Sequence, residues 1–489
     1  MTARPNILLV VAEDMGPQLG AYGCAEARTP QLDEFARGAI RFDTAWCSYP
    51  VCSPGRSSLL TGLPPHENGT MGLATCGFTT FEGVPSLPTL LASEGGYRTG
   101  RIGKLHVLPE SRFDTEFKWA DRKRFSFMGR DYAKMLRFAE EFIADDRSPF
   151  FLYVALPDAH VPFLQQSFGE PTEPITPEEV GAVPGMDRKL TEWEQWHAAY
   201  HNCIQRVDLA FGGLMDILDR RGLRDDTLVI FTSDHGLQFP RGKLSLYEPG
   251  LRIPMLVGGV GAARGGATVS TPVSGVDVFN TIVEAAGVTP PPPADARGRS
   301  LIDLASEAND DDRFIFSEIT ACMPNTYFPQ RAVRDRRYKL IWTLRTDTED
   351  PSYRALLDGF SSPGEYAPPD PPNAQGRPPI PPSASLSPAM RQAYETWRRP
   401  PAYQLYDLEA DPLETVNLAG DPALAEVEHR LRERLEQWMR ETDDFLLGEQ
   451  RRSDFEAEIE TYVQQIPPGS KRRLFDWAYP KRWRPRTLG

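Results

Sequence analysis

The chain of 489 residues has little of three things: cysteine, long apolar runs and positive charge. Six cysteines are too few for a disulfide framework and fit a reducing compartment. The first apolar run, residues 7–12, is too short for a signal peptide, and no other run approaches a membrane span. The net charge of −14 argues against general nucleic-acid binding. We therefore expect a cytoplasmic protein without membrane or nucleic-acid partners.

The sequence does contain a series of strand-length runs, each followed at once by polar residues. The runs span residues 7–12, 98–102, 150–155 and 227–232. Continuous apolar runs are typical of strands buried on both faces of a parallel sheet. Helical periodicity lies between them, at 131–144 and 193–221. This alternation predicts an α/β fold whose central sheet is mostly parallel and flanked by helices.

The residues after this region predict a smaller unit and a tail. We assign 1–310 to the catalytic α/β domain and 311–445 to a C-terminal α+β subdomain. Within the subdomain, a proline-rich insertion at 361–401 favours extended backbone without a core. The tail 446–489 ends in basic residues interleaved with aromatic ones. Such a tail can bind nucleic acid, but in an acidic protein we favour an arm packed on its own body or on a second subunit, which predicts a homo-oligomer.

Groups able to bind a metal or an anion follow each of the four strands. They are Glu13 and Asp14, then Lys104 and His106, then His160, then Asp234 and His235. Because the carboxyl ends of parallel strands meet at one edge of a sheet, we expect these side chains to converge there. The alternative for Glu13 and Asp14 is a solvated turn before Gly16.

A cysteine lies at the start of another predicted helix. Ser53 is a plausible N-cap, Pro54 suits the first helical position and Gly62 a C-terminal stop. Cys52 and Arg56 would then lie where a helix N-terminus favours an anion. The alternative is an inert, buried thiol.

Together these groups predict a reaction class. Acids and a histidine can bind a divalent cation, while Arg56, Lys104 and Lys243 can neutralise an anion. The set suits metal-assisted attack on a tetrahedral oxyanion, with a histidine protonating the departing oxygen. A second pair, His197 and His201, has the i, i+4 spacing of zinc ligands, but we favour an ordinary helix face there.

Five ordered motifs resemble the type I sulfatase family, which belongs to the alkaline phosphatase superfamily. They begin at Pro5, Cys52, Gly103, Thr232 and Tyr406, and the resemblance covers about residues 4–445. The segments 63–69, 103–107 and 239–243 are similar to the heparan N-sulfatase (sulfamidase) branch.

The resemblance implies a role for each site residue. Cys52 would be oxidised by a formylglycine-generating enzyme, hydrated to a geminal diol that attacks sulfur, and steadied by Arg56. The alcohol leaves, and the resulting sulfated hemiacetal eliminates sulfate. The metal ligands implied for one divalent ion, Ca²⁺ or Mn²⁺, are Glu13, Asp14, Asp234 and His235. The residues implied in sulfate binding and acid/base chemistry are Lys104, His106, His160 and Lys243.

Two departures from the family pattern leave alternatives open. The family usually has Asp-Asp where this chain has Glu13-Asp14, and Asp-Asn where it has Asp234-His235. An Asp-His pair is similar to phosphonate monoester hydrolases, and a nitrogen ligand shifts the preference from calcium towards manganese. We therefore expect a sulfatase acting on a small sulfate ester, of an aryl or sugar alcohol, or on a sulfamate. The alternatives are a phosphonate monoester hydrolase or phosphodiesterase with the same nucleophile, and a non-catalytic binding protein on the same fold.

Overall fold

The computed structural model describes residues 4–120, 130–145, 149–261, 266–307, 313–357, 374–375, 378–464 and 485–488. Its strands are β1 (Asn6–Ala12), β2 (Ile40–Phe42), β3 (Ala45–Trp46), β4 (Arg98–Gly103), β5 (Phe117–Trp119), β6 (Phe150–Ala155), β7 (Phe163–Leu164), β8 (Thr227–Ser233), β9 (Met255–Gly259), β10 (Thr268–Val269), β11 (Val273–Ser274), β12 (Ile315–Ile319), β13 (Gln330–Arg334), β14 (Tyr338–Thr343), β15 (Ala374–Gln375) and β16 (Tyr403–Asp407). Its α-helices are α1 (Pro30–Gly38), α2 (Cys52–Thr61), α3 (Pro65–Asn68), α4 (Leu87–Ser93), α5 (Tyr132–Ile143), α6 (Glu194–Arg220), α7 (Glu248–Leu251), α8 (Gly275–Ala285), α9 (Leu301–Ser306), α10 (Pro351–Leu357), α11 (Pro388–Arg398), α12 (Ala425–Glu441) and α13 (Glu449–Gln464).

The central sheet has eight strands in the order β10-β2-β9-β8-β1-β6-β4-β5. The five strands from β8 to β5 run parallel, and β9 is antiparallel to both of its neighbours. The apolar runs supply the innermost strands because their side chains must be buried on both faces. The predicted mostly parallel α/β fold is confirmed.

The strand register aligns the carboxyl ends of four strands. Ala12 is paired with Ser233, and Ala155 is paired with both Val11 and Gly103. The residues that follow these positions therefore leave the sheet along one edge, which we call the rim.

Helices cover the sheet in two groups, α1 with α5 and α6, and α2 with α4 and α8. The longest, α6, has the helical periodicity predicted for 193–221 and buries a stripe of apolar residues. The stripe consists of Tyr200, Ile204, Val207, Phe211, Leu214 and Leu218. No helix among the described residues combines the length and apolarity needed to cross a bilayer.

The C-terminal subdomain is built on an antiparallel sheet in the order β12-β13-β14-β16, and α12 packs on β13 and β14. Strands β13 and β14 form a hairpin around Arg336 and Arg337. The predicted boundary at 310/311 falls outside the described residues, so it stays a prediction, as does the boundary at 445/446.

The insertion at 361–401 differs from the expectation of a segment without a core. Residues 361–373 and 376–377 lie outside the described part of the chain, but 388–398 form α11. Ser387 caps this helix by accepting a hydrogen bond from the Met390 amide, and Tyr394 and Trp397 are buried. The high proline content of the whole insertion led to a wrong prediction for this part of it. The buried residues of α11 have helical spacing, and Pro388 occupies the first helical position, where proline is favoured.

The tail at 446–489 begins as helix α13, and residues 465–484, which carry most of its basic and aromatic residues, lie outside the described chain. At its end the Thr487 hydroxyl donates a hydrogen bond to Glu67. The predicted oligomeric state stays a prediction.

Candidate active site

Two acidic loops meet at the rim. Glu13 and Asp14 follow β1, Asp234 and His235 follow β8, and all four side chains are buried. The Asp14 backbone is in the left-handed region, with φ of 53°, and its amide donates a 3.0 Å hydrogen bond to Asp234 Oδ1. The solvated-turn alternative for Glu13 and Asp14 is therefore excluded.

Helix α2 brings Cys52 to these loops. The helix starts at Cys52 rather than after an N-cap at Ser53, because Ser53 Oγ accepts a hydrogen bond from the Ala74 amide instead of capping. Gly62 ends the helix in the left-handed conformation, as predicted. A Cβ at Gly55 would lie 2.4 Å from the Asp234 carbonyl oxygen, so only glycine allows the helix to approach this loop so closely.

The Cys52 thiol lies among charged groups. Its Sγ is 3.4 Å from Lys243 Nζ, 3.5 Å from His235 Nε2 and 3.7 Å from Asp14 Oδ1. Lys243 Nζ in turn donates a 2.8 Å hydrogen bond to Asp14 Oδ2. The side chain at position 52 thus faces both a carboxylate and an ammonium group.

Arg56, one turn along α2, is fully buried. Its Nε donates a 3.0 Å hydrogen bond to Asp234 Oδ2, and its Nη2 lies 3.8 Å from Glu13 Oε1. Its Nη1 donates a 2.6 Å hydrogen bond to the hydroxyl of Tyr153, a residue that the sequence prediction missed. The one feature of the sequence that could have indicated this contact is that Tyr153 has the only hydroxyl group in the apolar run of β6.

Lys104 and two histidines complete the rim. Lys104 forms an ion pair with Glu13. His160 Nε2 lies 3.9 Å from Asp14 Oδ2, and His160 Nδ1 lies 2.5 Å from the Val161 carbonyl oxygen. Both ring nitrogens of His106 are buried without a hydrogen-bond partner among the described residues.

The electrostatics follow from burial and neighbours. Burial lowers the pKa of His106, and the nearby Lys104 and Arg56 lower it further, so this imidazole is neutral. Burial also lowers the pKa of His160 by more than Asp14 raises it. For His235, burial acts in the same direction and is the largest single cause, but the Asp14 and Asp234 carboxylates together outweigh it and raise the pKa to about 10.

The two neighbouring carboxyls are shifted in opposite directions. Burial alone would raise the pKa of Asp14, but Lys243 and His235 hold it well below its usual range. In Glu13, burial outweighs the attraction of Lys104 and Arg56 and raises the pKa.

The donor atoms fit a divalent cation. Two overlapping groups have all their ligand atoms within 4.8 Å of one another. One group is Glu13, Asp14, Cys52 and His160, and the other is Asp14, Cys52, Asp234 and His235. Glu13 Oε2 is buried and accepts no hydrogen bond from any described residue, an arrangement that a cation would satisfy. Carboxylate oxygens and imidazole nitrogens are both common ligands of divalent metal ions.

A buried ion cluster holds the segment that carries His160. Asp158 accepts hydrogen bonds from Arg206, at 2.8 and 3.1 Å, and from the Tyr132 hydroxyl at 2.9 Å. Arg130 Nε lies 2.7 Å from Asp158 Oδ1, and the same guanidinium donates to the His160 carbonyl oxygen at 2.5 Å. Sequence alone gave no signal for this cluster, since its members come from separate segments.

The chain matches the sequence model of the sulfatase family over residues 5–288, more than half of its length. This chain belongs to the sulfatase family. A second model, N-sulphoglucosamine sulphohydrolase, C-terminal, matches residues 235–366 of this sulfatase. Human N-sulphoglucosamine sulphohydrolase is 32% identical to it, with 90% of this chain and 91% of the relative covered.

Solved structures share the fold of the sulfatase. One is a protein in complex with its substrate, D-glucosamine-2-N,6-O-disulfate, with a TM-score of 0.64 and 19% identity, covering 90% of this chain and 98% of that one. Another is the phosphonate monoester hydrolase of Agrobacterium radiobacter, with a TM-score of 0.64 and 19% identity, covering 90% and 96%.

The site residues implied by the sulfatase resemblance lie at the rim or against it, and His197 and His201 lie elsewhere. These two histidines are buried on α6 with their Nε2 atoms 3.2 Å apart. No third metal-binding side chain lies within reach among the described residues, so the helix-face interpretation stands.

Proposed function

We propose that this sulfatase hydrolyses a sulfate ester or a sulfamate with a formylglycine nucleophile made from Cys52. The observation that carries the proposal is the position of Cys52 Sγ, at the start of a buried helix and within 3.7 Å of Asp14, His235 and Lys243. Formylglycine, hydrated at this position, supplies a hydroxyl that can attack sulfur.

The proposed metal ligands are Glu13, Asp14, Asp234 and His235, for one divalent ion, Ca²⁺ or Mn²⁺. Such an ion supplies Lewis acidity toward a sulfate oxygen and favours the ionised form of the attacking hydroxyl. The nitrogen of His235 favours manganese over a site made only of oxygen.

The remaining rim residues have separate tasks in this proposal. Lys104 and Lys243 neutralise charge that develops on the sulfuryl oxygens. Arg56, fixed by Asp234 and Tyr153, orients the diol. His106 and His160 are neutral imidazoles, able to accept a proton from one group and to donate it to the departing oxygen or nitrogen.

For the substrate we propose a sulfated amino sugar. The support is the resemblance, over nine-tenths of the chain, to a relative named for the hydrolysis of N-sulphoglucosamine, together with the matching C-terminal model. Whether the bond cleaved is S–N or S–O is tested by comparing N-sulfoglucosamine with glucosamine 6-sulfate.

The test combines mass and rate. A peptide mass spectrum across 45–60 should show formylglycine at position 52, and the same preparation should release sulfate from an aryl sulfate. Cys52→Ala and Cys52→Ser should abolish release. Unchanged turnover in both variants would disprove the nucleophile, and an inactive wild type with unmodified cysteine would favour the non-catalytic alternative.

A phosphonate monoester hydrolase is the second candidate, because His235 occupies a position that the family usually fills with asparagine. Parallel kinetics on an aryl sulfate and a phenylphosphonate monoester separate the two. Markedly faster phosphonate turnover would reverse our order.

Three further expectations belong to the proposal. They are maturation by a formylglycine-generating enzyme, a homo-oligomeric state and a cytoplasmic location. The last is supported by the lack of a disulfide among the six cysteines, all of which lie in described segments. Analytical ultracentrifugation tests the oligomer, with truncation at 446 as the comparison.

A further inference from the structure

A cavity lies between the α/β domain and the C-terminal subdomain. Its volume is about 340 Å³, within the range of small-molecule sites. One wall comes from the segment 296–299 and the other from β12 and α12. None of the rim residues lines it, so it is separate from the proposed active site.

Positive charge dominates the lining of this interdomain cavity. Its basic residues are Arg297, Arg299, Arg313 and Arg434, and Glu441 is the one acid among the described residues that line it. Three of the guanidiniums are paired with carboxylates that do not line the cavity, and for Arg299 the partner is Glu307. Arg297 donates to Glu67 at 2.7 and 2.8 Å, and Arg313 donates to Asp277 at 2.6 Å. Arg297 also donates to the Glu441 carbonyl oxygen at 2.8 Å, and Arg313 donates to the Pro272 carbonyl oxygen at 2.5 Å. Because a guanidinium has five N–H donors, each of these two still has donors left for a ligand.

The Arg434 side chain is 30% exposed, but one of its nitrogens is buried. Its Nη1 is buried and has no hydrogen-bond acceptor among the described residues. The Glu441 carboxylate lies 3.6 Å from it, beyond hydrogen-bond distance. The guanidinium is held against the rings of Phe314 and Phe316, 5.9 and 5.3 Å from their centroids. A bound oxyanion could accept the hydrogen bond that this donor lacks.

An aromatic wall stands beside these cations. Phe316 and Trp438 are stacked with ring centroids 4.8 Å apart and planes within 1° of parallel. The Trp438 ring also contacts His66 edge-on at 5.1 Å, so its orientation is fixed from two sides. A bare inorganic anion would use the arginines but not the wall, whereas a sugar ring can pack its C–H face on it.

We propose that the interdomain cavity binds an anionic monosaccharide unit, with Arg434 binding its acidic group and the Phe316–Trp438 wall packing against its ring. The arginines and the aromatic wall are the observations that support an anionic sugar as the ligand. The choice of sulfate as the anion rests on the proposed function. The unit is either a second sugar of a longer substrate or a free sulfated sugar.

The test is calorimetric titration of the full chain carrying Cys52→Ala, which prevents turnover, with N-acetylglucosamine 6-sulfate. We expect two binding sites. Arg434→Met keeps the apolar stem on the aromatic rings but removes the charge, and should weaken one site about 10-fold or more. Lys243→Met should weaken the other. Arg440→Met, on the same helix and 60% exposed, is the matched control and should change neither.

Arg299→Gln repeats the test at a side chain that is 44% exposed, where misfolding is not a concern, and should also weaken the cavity site. Uncharged N-acetylglucosamine and inorganic sulfate should bind there at least about 10-fold more weakly than the sulfated sugar. Equal binding of either would overturn the ligand class, and a single site sensitive only to Lys243→Met would overturn the proposal. If one equivalent of a disulfated disaccharide saturates both sites in the titration, the cavity binds the second sugar of a longer substrate. If saturation needs two equivalents, the cavity binds a free sulfated sugar. Cavity binding in a protein without sulfatase turnover would contradict the proposed function and leave this inference standing.

Discussion

Replacing Asp158 by asparagine should damage both stability and catalysis. The carboxylate is fully buried and is the shared partner of Arg130 and Arg206. Asparagine keeps one acceptor oxygen but removes the charge, leaving two buried guanidiniums without their counter-ion. Breaking a buried ion pair in this way costs about 3–5 kcal/mol.

The catalytic effect should follow from His160. Arg130 donates to the carbonyl oxygens of His160 and Pro162, and the Glu13 amide donates to the Asp158 carbonyl oxygen at 3.0 Å. If the cluster loosens, His160 and Glu13 lose their fixed positions. A displacement of about 1 Å at reacting groups can cost roughly 100-fold in rate, and we expect that loss in kcat for Asp158→Asn.

The assay pairs thermal unfolding with kcat for an aryl sulfate. Asp131→Asn is the control, because Asp131 caps α5 nearby and asparagine caps a helix equally well. The fold lowers the pKa of Asp158, since Arg130 and Arg206 outweigh the effect of burial. The ionised Asp158 therefore stabilises the fold at pH values above the ordinary aspartate pKa, and this stabilisation is lost as the pH falls through its pKa in the folded protein. Asp158→Asn has no such carboxylate, so its stability should not show this decrease at low pH. An unchanged unfolding temperature would refute the reasoning on the ion cluster, and unchanged kcat in a destabilised variant would refute the link to His160.

Other predictions concern the rim and the contact between the two units. Cys52→Ala should abolish sulfate release, while Cys24→Ala, outside the site, should leave kcat unchanged. Lys243→Met should lower kcat about 10²–10³-fold by removing a cation from the developing charge, with Lys189→Met as a surface control in the same assay. Chelation should abolish activity, and Mn²⁺ or Ca²⁺ should restore it; activity that survives exhaustive chelation would exclude the metal. The pKa of His66 is raised, because Glu318 and Asp444 together outweigh burial. Protonated His66 therefore stabilises the fold at pH values below the ordinary histidine pKa. This stabilisation is lost as the pH rises through the pKa of His66 in the folded protein. His66→Gln should thus lower the unfolding temperature more at pH 6 than at pH 9, and an equal loss at both would contradict this.

The rim could be predicted because its residues directly follow apolar runs. Strand burial fixes where each run ends, and parallel pairing then brings Asp14 and Asp234 to one edge. The start of α2 was misplaced because Ser53 is used by the Ala74 amide, a contact distant along the chain. The cluster around Asp158 was missed for the same reason, since Arg130 and Arg206 lie in other segments. Local pattern predicts elements and their ends, whereas partners for buried charges depend on the tertiary packing.

The burial of α2 limits when the proposed oxidation of Cys52 can occur. Every residue of this helix is inaccessible, and the Cys52 side chain is 2% exposed. The proposed conversion of Cys52 to formylglycine needs an enzyme that can reach this thiol, and the folded protein buries both the thiol and its neighbours along the chain. Under our proposal, oxidation therefore precedes the folding of this helix, and a chain that folds first retains an unmodified cysteine.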